Sequence, residues 1–302
     1  MQPDEHVPFQ QDIAEAQPNP SHASWTASLD LAFERDLRGR DDAAASLRHA
    51  TRLVHRHEGP LRIQKALYPE GASPCHAVIV HPPGGIAGGD RLDIQIGCRE
   101  GSHGLVTTPS AAKWYGSAPE SPACQSVNVV LDGALEWLPQ ETIVFNRAEV
   151  RSDILVHASS QGCMIGWDHL IFGRRASGES FEQGSFRQSL RIAIDGRIAW
   201  HDRLALQGSD PLFASPIGLR GHHAFATVWA LLPASARWSE PTLEALRADS
   251  PGIAWTVLHD RLLVGRILAS PLELKPMMMR AWSFLRPHVV GKPAVAPRLW
   301  AT

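Results

Sequence analysis

The segment with the most unusual chemistry is His81-Pro82-Pro83-Gly84-Gly85-Ile86-Ala87-Gly88-Gly89-Asp90. Two Gly-Gly pairs behind a Pro-Pro step call for positive-φ positions or close backbone approaches, a setting in which successive N–H groups can cradle an anion. No Lys-Ser/Thr follows the glycines, and the next residues, RLDIQIG, alternate as a strand does. A phosphate loop ahead of a helix is therefore not spelled here. A tight turn between strands, built by His81, Pro82, Pro83, Gly84, Gly85, Gly88 and Gly89, is the favoured reading.

Metal ligation is the next chemistry to weigh. His55 and His57, Cys75-His76 and His222-His223 are close enough in sequence to share an ion. None has HExxH or multi-cysteine spacing, and 15 histidines make chance pairs expected. Cys75-His76, beside the glycine loop, is the pair of most interest. For nucleophilic catalysis there is no GxSxG elbow. Ser110-Ala111-Ala112-Lys113 spells SxxK, but no KTG or SDN follows. Asp168, Glu179 and Asp202 are candidate acids whose pairing no spacing fixes. A metal-dependent hydrolase using the glycine loop and nearby histidines is the alternative these residues leave open.

The elements that must position these groups are mostly strands. In SLDLAFER, Leu29, Leu31 and Phe33 alternate with Asp30, Ala32 and Glu34, and RLDIQIG repeats the pattern. Asp132-Gly133 and Asp195-Gly196 each separate two strand-like runs and predict two hairpins. Further strands are expected at 77–80, 105–108, 143–145, 154–157 and 162–167. Near the end, 241–247 reads as a short helix, IAWTVLHD and LLVGRILA as paired strands, and 272–287 as a second helix with Pro276 near its first turn. The expected fold is mainly β, a coiled or layered, β-helix-like arrangement with two α-helices towards the C-terminus.

Composition narrows the function classes. Hydrophobic residues make up 44% and charged residues 20% of 302, with a formal net charge of −2 and no basic run, so no nucleic-acid partner is expected. Four cysteines lie far apart without a CxxC pair, which fits reduced thiols. No apolar stretch approaches the ~20 residues of a membrane span, so no membrane partner is expected. Residues 1–23 are polar and proline-bearing, which predicts a disordered extension ahead of one domain over 24–302, in the cytoplasm. Ten tryptophans against two tyrosines, and four lysines among 29 basic residues, suit both a tryptophan-rich core and a protein interface.

Taken in order, HPPGGIAGGDRL, TTPSAAKWYGS, LEWLPQETIVFN, GWDHLIFGRRASGE and RPHVVGKPAVAPRLWAT resemble the signature segments of the urease accessory protein D family (UreD, also UreH) from about Ser24 to Thr302. The resemblance implies a β-rich, non-enzymatic maturation factor for a nickel enzyme. It implies UreF as a partner, UreG through UreF, apo-urease as the client, and allows a dimer within the accessory complex. No tightly bound cofactor is implied, only Ni²⁺ in transit through an internal passage, with Asp90, Asp168 and, less closely matched, Asp202 along it. Nickel binds imidazole and thiolate tightly, so sparse carboxylates suit a route that must also release the ion. The chain departs from the family pattern at Ala87, at Ile171-Phe172-Gly173-Arg174, where relatives often carry a cysteine, and at His169.

Overall fold

A computed structural model describes residues 24–36 and 50–301. The expected disordered extension, 1–23, lies outside the described residues. In chain order the first strands are β1 (Thr26–Arg35), β2 (Thr51–Glu58), β3 (Arg62–Ile63), β4 (Cys75–Val80), β5 (Arg91–Cys98), β6 (His103–Thr107), β7 (Ala112–Trp114) and β8 (Ala123–Leu131). They are followed by β9 (Ala134–Leu138), β10 (Thr142–Val144), β11 (Glu149–Ala158), β12 (Cys163–Phe172), β13 (Ser185–Ile194), β14 (Arg197–Gln207) and β15 (Ala224–Leu231). The chain ends with α1 (Glu240–Asp249), β16 (Ala254–Leu258), β17 (Leu262–Leu268) and α2 (Pro271–Val290).

Two sheets face each other. The first runs β14-β13-β11-β8-β5-β1-β2; the second runs β16-β17-β15-β12-β9-β6-β4-β3, with β10 and β7 attached beside β12. From β4 to β13 the chain coils between them, and the successive neighbours β5, β8, β11, β13 and β4, β6, β9, β12 are all parallel. Parallel neighbours ordinarily need a long, usually helical crossover. Here a strand of the opposite sheet is the crossover, so connections stay short. This is the coiled, layered β fold expected, with its two helices towards the C-terminus.

One expected hairpin is corrected. β8 and β9 flank Asp132-Gly133 but belong to different sheets. The glycine is needed there for space, since a Cβ would lie 2.3 Å from the Arg99 carbonyl oxygen. At Asp195-Gly196 the hairpin forms, β13 pairing antiparallel with β14 through φ values of 48° and 78°. Pro276 is also placed differently. α2 starts at Pro271 behind a Ser270–Glu273 capping box, so Pro276 sits beyond the first turn and the helix continues through it and Pro287.

Burial explains which strands announce themselves. The first sheet has one open face, and β5 alternates exposed and buried residues along its length. The second sheet is covered on both sides, by the first sheet and by a helix layer, and β15, AFATVWAL, is buried at every position. With no period of two, β15 escaped the strand reading.

Candidate functional site

The glycine loop links β4 to β5 and crosses between the sheets. Gly84 and Gly89 adopt φ of 78° and 84°, while a Cβ on Gly85 would strike the Tyr115 ring. The turn is tied by Gly84 N–H to the His81 carbonyl (3.0 Å) and by Ile86 N–H to the Lys113 carbonyl (2.7 Å). Asp90 closes it. One carboxylate oxygen accepts the Trp25 N–H and the other the Ala87 N–H, both at 2.8 Å, and the residue is buried. Ala87 thus gives the loop a backbone donor, whatever its side chain.

Behind this loop lies a cavity of about 320 Å³ between the sheets. His81, Pro82, Gly84 and Gly85 line it on the loop side, with the Thr108–Lys113 segment beside them; Pro83 does not. Burial pulls the His81 imidazole below its ordinary value, against the opposing charge of Asp90. Its Nε2 has no hydrogen-bond partner among the described residues. Ser110 and Lys113 stand on a loop and a strand, not on the helix that an SxxK enzyme requires.

Deeper in, the lining turns polar in an ordered way. Gln125, Ser152 and Gln188 occupy matching register positions on the adjacent parallel strands β8, β11 and β13 and all line the cavity. Facing them from β12 is Asp168, the one carboxylate among the described residues of the lining. The Gln188 amide donates to Asp168 Oδ2. Burial pushes the Asp168 carboxyl up to about 6, against the Gln188 hydrogen bond; Asp202 adds to the rise and Arg266 opposes it. Its accessible surface is partial and faces the cavity. Asp202 lies further out, on β14, 2.7 Å from the Arg266 guanidinium.

The three acids stand on different elements and in different states. Asp90 is consumed by backbone donors, Asp168 faces the cavity, and Asp202 is ion-paired near the surface.

The Cys75-His76 pair is split by the strand. His76 Nε2 meets Glu70 at 2.9 Å, whereas Cys75, its thiol raised by burial, bonds Tyr68. His55 and His57 stack 6.4 Å apart on β2, and His223 stacks on Phe213. Among the described residues no three His, Cys, Asp or Glu side chains are grouped to hold a metal ion.

A second polar cluster was not foreseen. On the helix side of the second sheet, Glu136 is fully buried and accepts from His103 Nε2 (2.9 Å), Trp282 Nε1 (2.7 Å) and Arg286 Nε (3.0 Å). Arg286, also fully buried, binds Glu70 through both terminal nitrogens at 2.8 Å and the Pro293 carbonyl at 2.6 Å. Burial would raise the Glu136 carboxyl, but His103 and Arg286 together hold it below its ordinary value. Trp300 completes this layer, donating to Thr107 Oγ1 at 2.9 Å and packing on Trp167 and Trp282.

The sequence carried faint signals for both clusters. Gln125, Ser152 and Gln188 are polar residues in the buried phase of alternating strands. Glu136 and Arg286 are lone opposite charges in the apolar runs LEWL and SFLRP.

Comparison with known proteins agrees with the motif reading. The family described as UreD urease accessory protein matches residues 26–301. The chain is 43% identical to urease accessory protein UreD of Pseudomonas fluorescens, over 92% of this chain and 96% of that protein. The corresponding protein of Dechloromonas aromatica is 41% identical over 94% and 97%, and that of Pseudomonas aeruginosa 40% over 93% and 96%. With five ordered motifs, a matched span of nearly the whole described chain and relatives this similar, the protein belongs to the UreD urease accessory protein family.

Proposed function

We propose that this chain is a non-catalytic urease maturation factor that passes Ni²⁺ towards apo-urease through the cavity between its sheets, while bound to UreF and, through UreF, to UreG. The observation that carries the reading is Asp168, the single carboxylate among the described residues that line a cavity of about 320 Å³, whose other lining is apolar or neutral apart from Lys113 beside the glycine loop. A lone carboxylate with amide and hydroxyl neighbours offers a divalent ion oxygen ligands without the grip of a thiolate or imidazole cage. Gln125, Ser152 and Gln188 substitute for part of the hydration shell along the way, which lowers the cost of leaving bulk water. Asp90 serves the route indirectly by fixing the glycine loop at its mouth.

The test is reconstitution of apo-urease with nickel, bicarbonate, GTP and the accessory proteins, using the wild-type chain or Asp168→Asn. The variant keeps size and hydrogen bonding but lacks the charge, and is expected to leave urease with less than half the nickel delivered by wild type. Equal metal content in the two preparations would defeat the passage, and urease loaded equally well without the chain would defeat the maturation role.

A further inference from the structure

Beyond Asp168 a line of polar side chains leaves the cavity and reaches the surface. Asp168 on β12 pairs in register with Thr227 on β15, and Thr227 with Arg266 on β17, so all three project from the same face of the second sheet. Arg266 donates to Thr227 Oγ1 at 2.6 Å and spans to the first sheet, where it meets Asp202 at 2.7 Å and lies over the Trp200 ring at 5.8 Å. The guanidinium is 41% exposed and the Asp202 carboxylate 23%. Thr227 is buried between them and the cavity. Asp168 is close enough to feel both charges. Arg266 thus pairs directly with Asp202, and its charge reaches Asp168 across Thr227.

We propose that Arg266 is a tethered counter-cation for Asp168 and Asp202: it stands where a transiting divalent ion would be held, must be displaced by that ion, and so keeps its affinity low enough for release. The proposal rests on the passage reading above. A guanidinium stays charged throughout the physiological range, so it competes at every relevant pH. Its two anchors, Thr227 and Asp202, let it swing without being lost, and its exposure means that displacement costs little desolvation. Without it, two carboxylates would remain as an oxygen site with excess negative charge, which binds a divalent ion and retains it.

Equilibrium dialysis of the purified full chain against Ni²⁺ alone, with the reconstitution assay in parallel, tests this. Arg266→Gln is expected to bind Ni²⁺ about tenfold more tightly than wild type, since a nearby unit charge is worth at least that factor, and to pass less nickel to urease. Arg266→Lys should behave as wild type. Asp202→Asn should shift affinity the opposite way, to weaker binding, because one carboxylate is lost and the guanidinium is left to Asp168 alone. A salt bridge remote from the ion's path would leave Ni²⁺ affinity unchanged in both variants. Unchanged affinity in Arg266→Gln, with delivery still impaired in Asp168→Asn, overturns the counter-cation and leaves the passage standing. Normal delivery by Asp168→Asn removes the passage and the counter-cation together. Should Arg266→Gln not fold, Asp202→Asn decides alone: affinity equal to or tighter than wild type refutes the proposal.

Discussion

Glu136 and Asp168 sit on the adjacent strands β9 and β12 of one sheet, both away from bulk solvent, and the protein treats them in opposite ways. Glu136 points to the helix layer, where Arg286, His103 and Trp282 satisfy it and hold it ionised. Asp168 points to the cavity, where one glutamine amide is its side-chain partner and burial raises it to about 6. A carboxylate that is fully partnered is a fastener, since moving any partner strands a charge. A carboxylate left short of partners is responsive: it can take up a proton or a cation as conditions change. The strand's alternation, one residue to each face, decides which fate a given acid meets.

The comparison breaks most visibly at Arg286. Arg286→Met leaves Glu136 and Glu70 buried without their cation, and losing one partner of such a network costs about 3–5 kcal/mol. Urea unfolding at pH 7 should show that loss, or the variant should fail to accumulate folded. A change under about 1 kcal/mol would mean that the cluster does not fasten α2 to the sheet.

Asp168→Asn should shift stability in the opposite direction. Because the folded carboxyl titrates near 6, above its ordinary 3.8, the stability it contributes is complete below the ordinary value and is lost as pH rises through about 6. The asparagine variant should therefore be more stable than wild type at pH 8, by up to about 3 kcal/mol from a two-unit shift. The gap should close by pH 4. Melting curves across that range check it, and a gap that does not vary with pH would show that the Asp168 carboxyl is not strained by burial.

The smallest effect belongs to His169, next along β12 and facing the helices. Burial lowers its imidazole to about 4, and its Nε2 is unpartnered among the described residues. Stability from a depressed histidine is complete above its ordinary 6.5 and is lost as pH falls towards 4. At pH 5, partway down this limb, His169→Gln should recover on the order of 2 kcal/mol, leaving the neutral-pH melting temperature nearly unchanged. An acid limb identical to wild type would move the titration elsewhere.

Much of the first sheet was legible because its outer face meets water. Leu92, Ile94 and Ile96 alternate with polar residues, and the strand follows. Both helices were legible too, and so was the hairpin at Asp195-Gly196. The same dipeptide at 132–133 misled, because a turn signal reports a change of direction and not which sheet receives the next strand. β15 was invisible for the converse reason, having no wet face to write a period. In the site, the acids could be named from the motifs, but their states could not. Nothing in the spelling of GGD, GWD or HDR says that one carboxylate is tied to backbone, one faces a cavity and one is paired with arginine.

By itself the sequence determined the strand-rich class, the sharp glycine loop, the C-terminal helices and the family, since these depend on alternation, local φ requirements and short ordered motifs. Only the tertiary structure decided that residues 70, 136 and 286 form one buried ion network and that 125, 152, 168 and 188 share one cavity. Such contacts join positions up to 216 residues apart, and a buried charge or an inward polar side chain takes its properties from whichever partner the coiling chain delivers.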